Sequence, residues 1–439
     1  MRIAVVGSGI SGLGVAYALL EKHDVKLFER NKMFGGHSNT LDINVINKEI
    51  SVDTGFIVYN TENYPNLTSL FEHLKVPTKW SDMSFGFSSG NGRLEYSGSS
   101  LNSLFTQRRN LLNLTFLQGL QDILRFNREA PIALDNGKLV GLSLGDYLSM
   151  YKFRNWFTEN FILPMGGAIW SMPQSEILNF PAINFVSFFR NHGLLSGLSR
   201  AQLWRTVDGG SKVYVDKIIE KLGARAIKNC PITSVQRVGN GVTLAFKNGK
   251  SETFDQVVLC SNGPETMKLI VDKTSEEQNL LSRFKTSQNR VILHSDKALM
   301  PKRLKAWSSW NFISSDQTDN LKKPSSVTYW MNKLQGLDTE IPVFVSLNPL
   351  FEPDQGSIYK ELNYSHPIFD DQTFIAQKQF DEIQGSGGIW YAGAWLGYGF
   401  HEDGLTAGLR VADAMGALPT WAKNIPTGLR RTFSLKAAE

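Results

Sequence analysis

Apolar and polar positions change their period several times along this chain. Residues 2–6, Arg-Ile-Ala-Val-Val, form a continuous apolar run of strand length, residues 10–22 space their apolar side chains as a helix does, and Val25-Lys26-Leu27-Phe28-Glu29 reads as a second strand. That order predicts a βαβ unit. Between about 70 and 200 the pattern lengthens into aromatic-rich helical stretches, such as Leu111-Leu112-Asn113-Leu114-Thr115-Phe116-Leu117 running on through Leu120, Ile123, Leu124 and Phe126. Near 206 strands and turns return: Asp208-Gly209-Gly210, Ile232 to Val235, the alternating Val242 to Phe246, a turn at Asn248-Gly249, and Val257-Val258-Leu259. From 266 to 380 helix mixes with strands such as Arg290 to His294 and Val343 to Leu347; after 388 the chain is glycine-rich, then helical to about 415. Two interleaved domains are expected, one from 1–70, 206–265 and 385–418 and the other from 71–205 and 266–384, with a polar, basic tail over 419–439.

Composition narrows the class. At 439 residues, with 42% hydrophobic, 11% aromatic and 20% charged residues, the chain reads as globular and large enough to bury a cofactor. A net charge of +5 over this length does not call for nucleic acid. Cys230 and Cys260 fall in segments that read as buried strands and cannot build a disulfide framework, so a cytoplasmic home is expected. The apolar N-terminus is broken by Gly7, Gly9, Gly12 and Gly14, which fits a strand and turn better than a signal peptide. No metal-ligand spacing joins the seven histidines and two cysteines, so no metal is expected.

Gly7-Ser8-Gly9-Ile10-Ser11-Gly12 follows a strand and opens a helix, and Glu29 stands 20 residues after Gly9 at the end of the next strand. The pattern is that of a dinucleotide site. Gly7 permits a tight turn, Gly9 lets the backbone approach a pyrophosphate, Gly12 allows close packing of helix on strand, and the N–H groups of the helix start, at Ile10 and Ser11, face the phosphates. Glu29 would accept hydrogen bonds from the ribose. By itself this motif does not separate FAD from NAD.

The continuation Glu29-Arg30 through Gly35-Gly36-His37-Ser38-Asn39-Thr40, then Val52-Asp53-Thr54-Gly55-Phe56, resembles the flavin-containing amine oxidase and phytoene desaturase superfamily. So do Val207-Asp208-Gly209-Gly210 and the segment Trp390 to Trp395 with Gly399 to Gly408. The resemblance implies FAD in an α/β fold, with a discontinuous Rossmann-like domain of glutathione-reductase type and an interleaved α+β substrate-binding domain; with no cysteine near the Gly399 to Gly408 segment, noncovalent binding is expected. It further implies that Arg30, Gly35, Gly36, His37, Ser38, Gly55 and Phe56 flank the cofactor. Val235 would lie against adenine, while Gly393, Asp403, Gly404 and Leu405 would approach the flavin. His37 departs from the pattern, because many members carry arginine there.

Within the superfamily, Gly55 to Asn60, Trp307 to Asn311 and Gly397 to Gly404 resemble bacterial proteins described as predicted NAD/FAD-binding and related to polyunsaturated fatty acid isomerases. This implies a lipid-like small-molecule substrate and hydride transfer between flavin N5 and an acyl chain, as desaturation or isomerisation. Amine oxidation, with Trp395 and Tyr398 as flanking rings, is the alternative; a redox-silent flavin- and lipid-binding protein is a third. His401 and Glu402 are the leading catalytic candidates, with Tyr59 beside them; His401 as a cap of the following helix is an equal reading. His37, His192, His294 and His366 complete the proton handlers. Ten aromatics, Phe153, Trp156, Phe157, Phe161, Trp170, Phe185, Phe188, Phe189, Trp307 and Trp310, either line an acyl tunnel or, as aromatics more often do, form core. Basic and apolar residues meet at Arg108-Arg109, Lys302 to Lys305 and Arg430-Arg431; a solvated charged face is the first reading, and peripheral contact with the inner face of a membrane the most that is expected.

Overall fold

The computed structural model describes residues 1–195, 203–314 and 325–423. Arg430-Arg431 and the rest of the tail from 424 lie outside the described residues.

The apolar strand Arg2–Val6 sits at the centre of a five-stranded sheet, in the order Ala226–Ile227, Asp24–Phe28, Arg2–Val6, Gln256–Leu259, Ile389–Tyr391. Every pairing in it is parallel. A parallel sheet is covered on both faces, which is why Ile3, Ala4, Val5, Val257 and Val258 carry no polar alternation and are fully buried. The helix Ile10–Leu19 and the C-terminal helix His401–Ala414 pack together on one side of it, in a cluster shared with Tyr214 and Val215 of the helix Lys212–Leu222. A three-stranded antiparallel meander, Ile232–Val238, Gly241–Phe246 and Ser251–Phe254, contributes to the cluster on the other side.

A seven-stranded sheet carries the rest, in the order Ile358–Ile368, Lys285–His294, Phe344–Leu347, Ser326–Trp330, Trp310–Ser314, Phe85–Ser89, Leu94–Ser97. Two of its strands, Phe85–Ser89 and Leu94–Ser97, fall in the stretch that the sequence pattern reads as helical. Phe87 and Tyr96 alternate with polar residues there, and pairing to Trp310–Ser314, more than two hundred residues away, sets their state.

Other elements also differ from the pattern. The helix expected over 10–22 ends at Leu19, before the polar run Glu21 to Asp24. The long helix begins at Leu114, where the Asn113 side chain accepts from the Phe116 N–H, and Arg108–Leu112 before it is a separate 3-10 turn. Neither cysteine lies in a strand. Cys260 follows Gln256–Leu259 and Cys230 follows Ala226–Ile227, each half-buried. Among the described residues no helix is long and apolar enough to cross a membrane.

Candidate functional site

The glycines after Arg2–Val6 meet the geometric demands of a dinucleotide cradle. Gly7 has φ +102°, and a β-carbon on Gly12 would stand 1.8 Å from the Gly7 carbonyl oxygen, so strand and helix leave no room there. Gly9 is the opposite case: a β-carbon on it meets nothing within 4 Å. Gly36 closes on it, since a β-carbon at Gly36 would lie 3.0 Å from the Gly9 Cα. Tight backbone on one side and open space on the other is the shape that takes a pyrophosphate at the helix start of Ile10 and Ser11. The Glu29 carboxylate is buried at the end of its strand; Oε2 accepts from the Ser8 N–H and hydroxyl at 3.1 and 2.6 Å, and Oε1 from the Asn31 N–H at 2.8 Å. Arg30 points to the surface and pairs with Glu265 at 2.6 Å.

The glycine-rich segments are locked to one another. The Gly35 N–H donates to the Ser8 carbonyl, and the Phe56 N–H donates to the His37 carbonyl at 2.7 Å. A β-carbon on Gly55 would come within 2.3 Å of that same oxygen. Asp53 ties this region to the second glycine pair, accepting from the Thr40 hydroxyl at 2.6 Å, the Ser211 hydroxyl at 2.7 Å and the Ser211 N–H at 2.9 Å. Burial pushes its carboxyl up to about 6 in spite of those donors. Val235 is fully buried, in the cluster that holds Val6 and Phe28.

The C-terminal helix closes the cradle from above. Gly408 would place a β-carbon 2.6 Å from the Ser11 carbonyl oxygen, Gly404 one 2.8 Å from Ile10, and Leu405 packs over Gly14. Gly393 is extended, with the Trp395 indole directly against it. His401 does not cap this helix. Its ring stacks on Phe56 at 3.7 Å, and Nε2 lies 2.8 Å from the Ser38 hydroxyl and 3.3 Å from the Tyr214 hydroxyl. The cap is Asp403, whose carboxylate accepts the Phe400 N–H at 2.9 Å and is pushed up to about 7 by burial. Glu402 serves a neighbour: its two oxygens accept the N–H groups of Asn66 and Leu67, each at 2.9 Å, at the start of the helix Pro65–His73. Tyr59 is buried away from His401, ringed by Tyr64 and Phe71.

Facing these segments is the outer strand Ile358–Ile368. Tyr364 and His366, two apart and so on one face, stand 5.0 and 5.4 Å from the His37 ring. The Tyr364 hydroxyl meets Thr54 at 2.7 Å and accepts from the Asn39 amide at 2.9 Å. His37 is solvent-exposed although the surrounding protein lowers its pKa, and the space its ring faces between these segments and the outer strand is the candidate recess. Burial, with His37 nearby, also lowers His401 well below the usual imidazole range and His366 to about 3. The His366 Nδ1 is buried without a protein partner. Tyr214 and Tyr364 were not marked by the sequence pattern; the alternation of Tyr364 and His366 on a strand was the available signal for the latter pair.

Other candidates stay outside this recess. His294 is fully buried in the sheet between the Ser346 hydroxyl, at 2.8 Å, and the Asp296 N–H, at 3.1 Å. His192 stacks on Phe188, and Phe188 on Phe400, which brings these rings to the helix start. Most of the ten aromatics are core: Phe153, Phe157, Trp170, Phe185 and Phe189 fill one cluster, and Trp156 packs on another. Trp395 does not flank the recess with Tyr398. It is buried against Phe284 and Phe380 with its indole N–H donated to the Ser261 carbonyl, so the ring pair expected for an amine oxidase is not formed by these two.

A family model described as flavin containing amine oxidoreductase matches residues 10–343. A Mycobacterium tuberculosis protein carrying the name flavin-containing monoamine oxidase AofH is 23% identical over 263 residues, 57% of this chain and 54% of its own length; the chain thus spans about half the length of the curated relatives it matches. Among solved structures, the fold is similar to that of a CLA-producing fatty acid isomerase from P. acnes, with TM-score 0.64 and 14% identity over 94% of this chain and 98% of that one. Putrescine oxidase bound to putrescine gives 0.65 and 16% over 95% and 99%, and reduced UDP-galactopyranose mutase 0.66 and 13% over 99% of each.

Proposed function

The chain belongs to the flavin-containing amine oxidoreductase family, and from that premise we propose that this FAD-dependent oxidoreductase moves a hydride between flavin and an unsaturated or methyl-branched fatty acyl chain, in a desaturation or isomerisation. The observation that carries this reading is that, among the described residues, no committed charge stands on the wall of the recess. Burial holds His366 and His401 neutral, the protein around His37 shifts it in the same direction, Glu402 is spent on the N–H groups of Asn66 and Leu67, and Asp403 caps its own helix. A wall of neutral imidazoles and the rings of Phe56 and Tyr364 receives an uncharged chain at little desolvation cost and excludes water from a hydride.

In this reading Gly7, Gly9, Ile10, Ser11 and Gly12 hold the pyrophosphate, Glu29 the ribose, and Gly35 to Ser38, Gly55, Phe56, Gly393, Gly404 and Leu405 the remainder; Arg30, on the surface, pairs with Glu265. FAD, when bound, supplies a two-electron acceptor at N5. The start of His401–Ala414 directs unpaired N–H groups and positive potential toward the cofactor. Asp403, pushed up to about 7, is about half protonated near neutral pH and so cancels only part of that potential. Ser38 and Tyr214 fix the His401 ring, and His401 in turn orients Phe56. His366, lowered to about 3 by burial, stays an unprotonated imidazole in this reading, its Nδ1 buried and without a protein partner. We read the flavin as noncovalent: a cysteinyl link is not expected, because both cysteines border the Gly7–Glu29 end of the cradle, Cys260 against Gly7 and Cys230 with its backbone N–H donated to the Glu29 carbonyl.

Amine oxidation is the second reading, favoured by the monoamine-oxidase name of the curated relatives. The test is the anaerobic visible spectrum as lipids or amines are added, with lipid product analysis to catch an isomerisation that returns the hydride. Bleaching or double-bond movement with unsaturated or branched lipid is the expected result. Bleaching by amines alone overturns the acyl-chain reading. The same reading extends to transient contact with a membrane, where acyl chains are stored.

A further inference from the structure

Two basic segments that lie about two hundred residues apart in the chain meet on one face of the molecule. The turn at Gly90–Arg93, Arg109, Lys302 and Arg303 line an open recess of about 580 Å³. Its floor is built: Glu95, fully buried, accepts the Lys302 and Arg303 N–H groups and the Arg303 guanidinium, the last at 2.8 Å. That carboxylate is therefore already matched. Lys302 and Arg109 stay exposed at the rim, and Arg108 and Lys305 are exposed beside them.

Around the recess the surface is apolar. Of the eight leucines exposed among the described residues, six are here: Leu101, Leu111, Leu112, Leu114, Leu117 and Leu304. Leu112 is 89% exposed and Leu304 75%. They belong to four neighbouring short segments: the helix Leu101–Leu104, which touches the 3-10 turn Leu304–Ala306, and the 3-10 turn Arg108–Leu112, which leads into the start of Leu114–Asp135. No acidic residue occurs between Glu95 and Asp122, or between Asp296 and Asp316. Exposed leucines of this density are costly in water unless something covers them.

We propose that this face is a docking surface for an anionic lipid bilayer, with the leucines entering the boundary of the acyl chains and Arg109, Lys302 and Lys305 meeting lipid phosphates. The charge complementarity favours a membrane over a second copy of the chain, since apposing two such acid-free faces would bring like charges together. Beneath the surface, the cluster of Phe116 and Phe87 shares Trp310 and Tyr329 with the cluster that holds Val52 and Ile57 next to Asp53 and Gly55. Apolar packing thus runs from the docking face to the cofactor segment. The surface itself does not depend on the acyl-chain reading.

The test is cosedimentation of the FAD-loaded protein with phosphatidylcholine vesicles that contain or lack phosphatidylglycerol. Binding is expected only to the anionic vesicles and should fall as salt is raised. Arg109→Gln with Lys305→Gln should weaken it about twenty-five-fold, at about fivefold for each charge near the surface. Leu112→Ser with Leu114→Ser should abolish it at unchanged flavin absorbance and Tm; Leu304→Ser, on a different element, serves if that pair folds poorly. Equal binding by these variants, or failure of the parent to pellet with anionic vesicles at low salt, overturns the proposal. So does a parent that sediments as a dimer and becomes monomeric in the leucine variants, for the face would then belong to a second copy.

Discussion

Gly9 and Gly12 show that a glycine can be required for what it leaves empty or for what it lets touch. At Gly9 the backbone is extended, φ −65° and ψ 178°, which alanine adopts freely, and the space beside it is open. Gly9→Ala should therefore leave the Tm of the FAD-free protein nearly unchanged and cut FAD affinity by at least about tenfold, roughly 1.4 kcal/mol, read as loss of the flavin absorbance after dialysis. Gly12→Ala forces a methyl into the Gly7 carbonyl and should destabilise the FAD-free protein itself, by about 3 kcal/mol. Titration is the other property set residue by residue. His294 and His192, each lowered to about 4 by burial, and His366, lowered to about 3, bind a proton when unfolded near pH 6 but not when folded. Stability from these groups is complete above the unfolded imidazole value of 6.5 and is lost as pH falls from there toward 4 and 3. Asp53 and Asp403, raised to about 6 and 7, act in the opposite sense: folded protein binds their protons, and stability falls as pH rises from about 4 toward those values. The three histidines outweigh the two acids, so Tm should drop on acidification from 6.5 to 4. His294→Gln should flatten the curve by up to roughly 3 kcal/mol, from the 1.36 kcal/mol per pKa unit.

At the scale of elements, the start of His401–Ala414 divides its labour among adjacent side chains. Glu402→Ala removes the acceptor for the Asn66 and Leu67 N–H groups and should cost about 1 kcal/mol in Tm measurements while leaving the rate of flavin reduction close to the parent's. His401→Ala should do the reverse, lowering FAD retention and reduction rate through loss of the Phe56 stack. The βαβ unit, the glycine positions and the C-terminal helix were legible because each is specified within a few residues by period and turn chemistry. What was not legible was specified at a distance. Phe85–Ser89 is a strand because Trp310–Ser314 pairs with it, and Asp53 matters because Ser211 donates to it from beyond the second glycine pair. Trp395 read as a flavin neighbour from its place in the C-terminal segment, but Phe284 and Phe380, remote in sequence, draw it into the core. His366 was named among the proton handlers, yet its standing beside His37 follows from the fold of the outer strand across Asn39 and Thr54.

At the scale of the molecule, the two large sheets take their strands from alternating stretches of chain, and the cradle is clamped between the first helix and the last. Neither sheet can unfold without pulling strands from the other's connections. Differential scanning calorimetry should therefore show one cooperative transition, which FAD raises; at free FAD about a hundred times its Kd the gain is about 2.7 kcal/mol. The clamp has a consequence for the order of synthesis. A ribosome delivers Gly7 to Gly12 about four hundred residues before Gly404 to Gly408, so the cradle must wait, with its apolar strand lacking the neighbour Gln256–Leu259 and its helix lacking a lid, until those later segments have emerged. Cofactor capture thereby waits on His401–Ala414, and a chain halted before that helix lacks the lid that would hold the flavin in place.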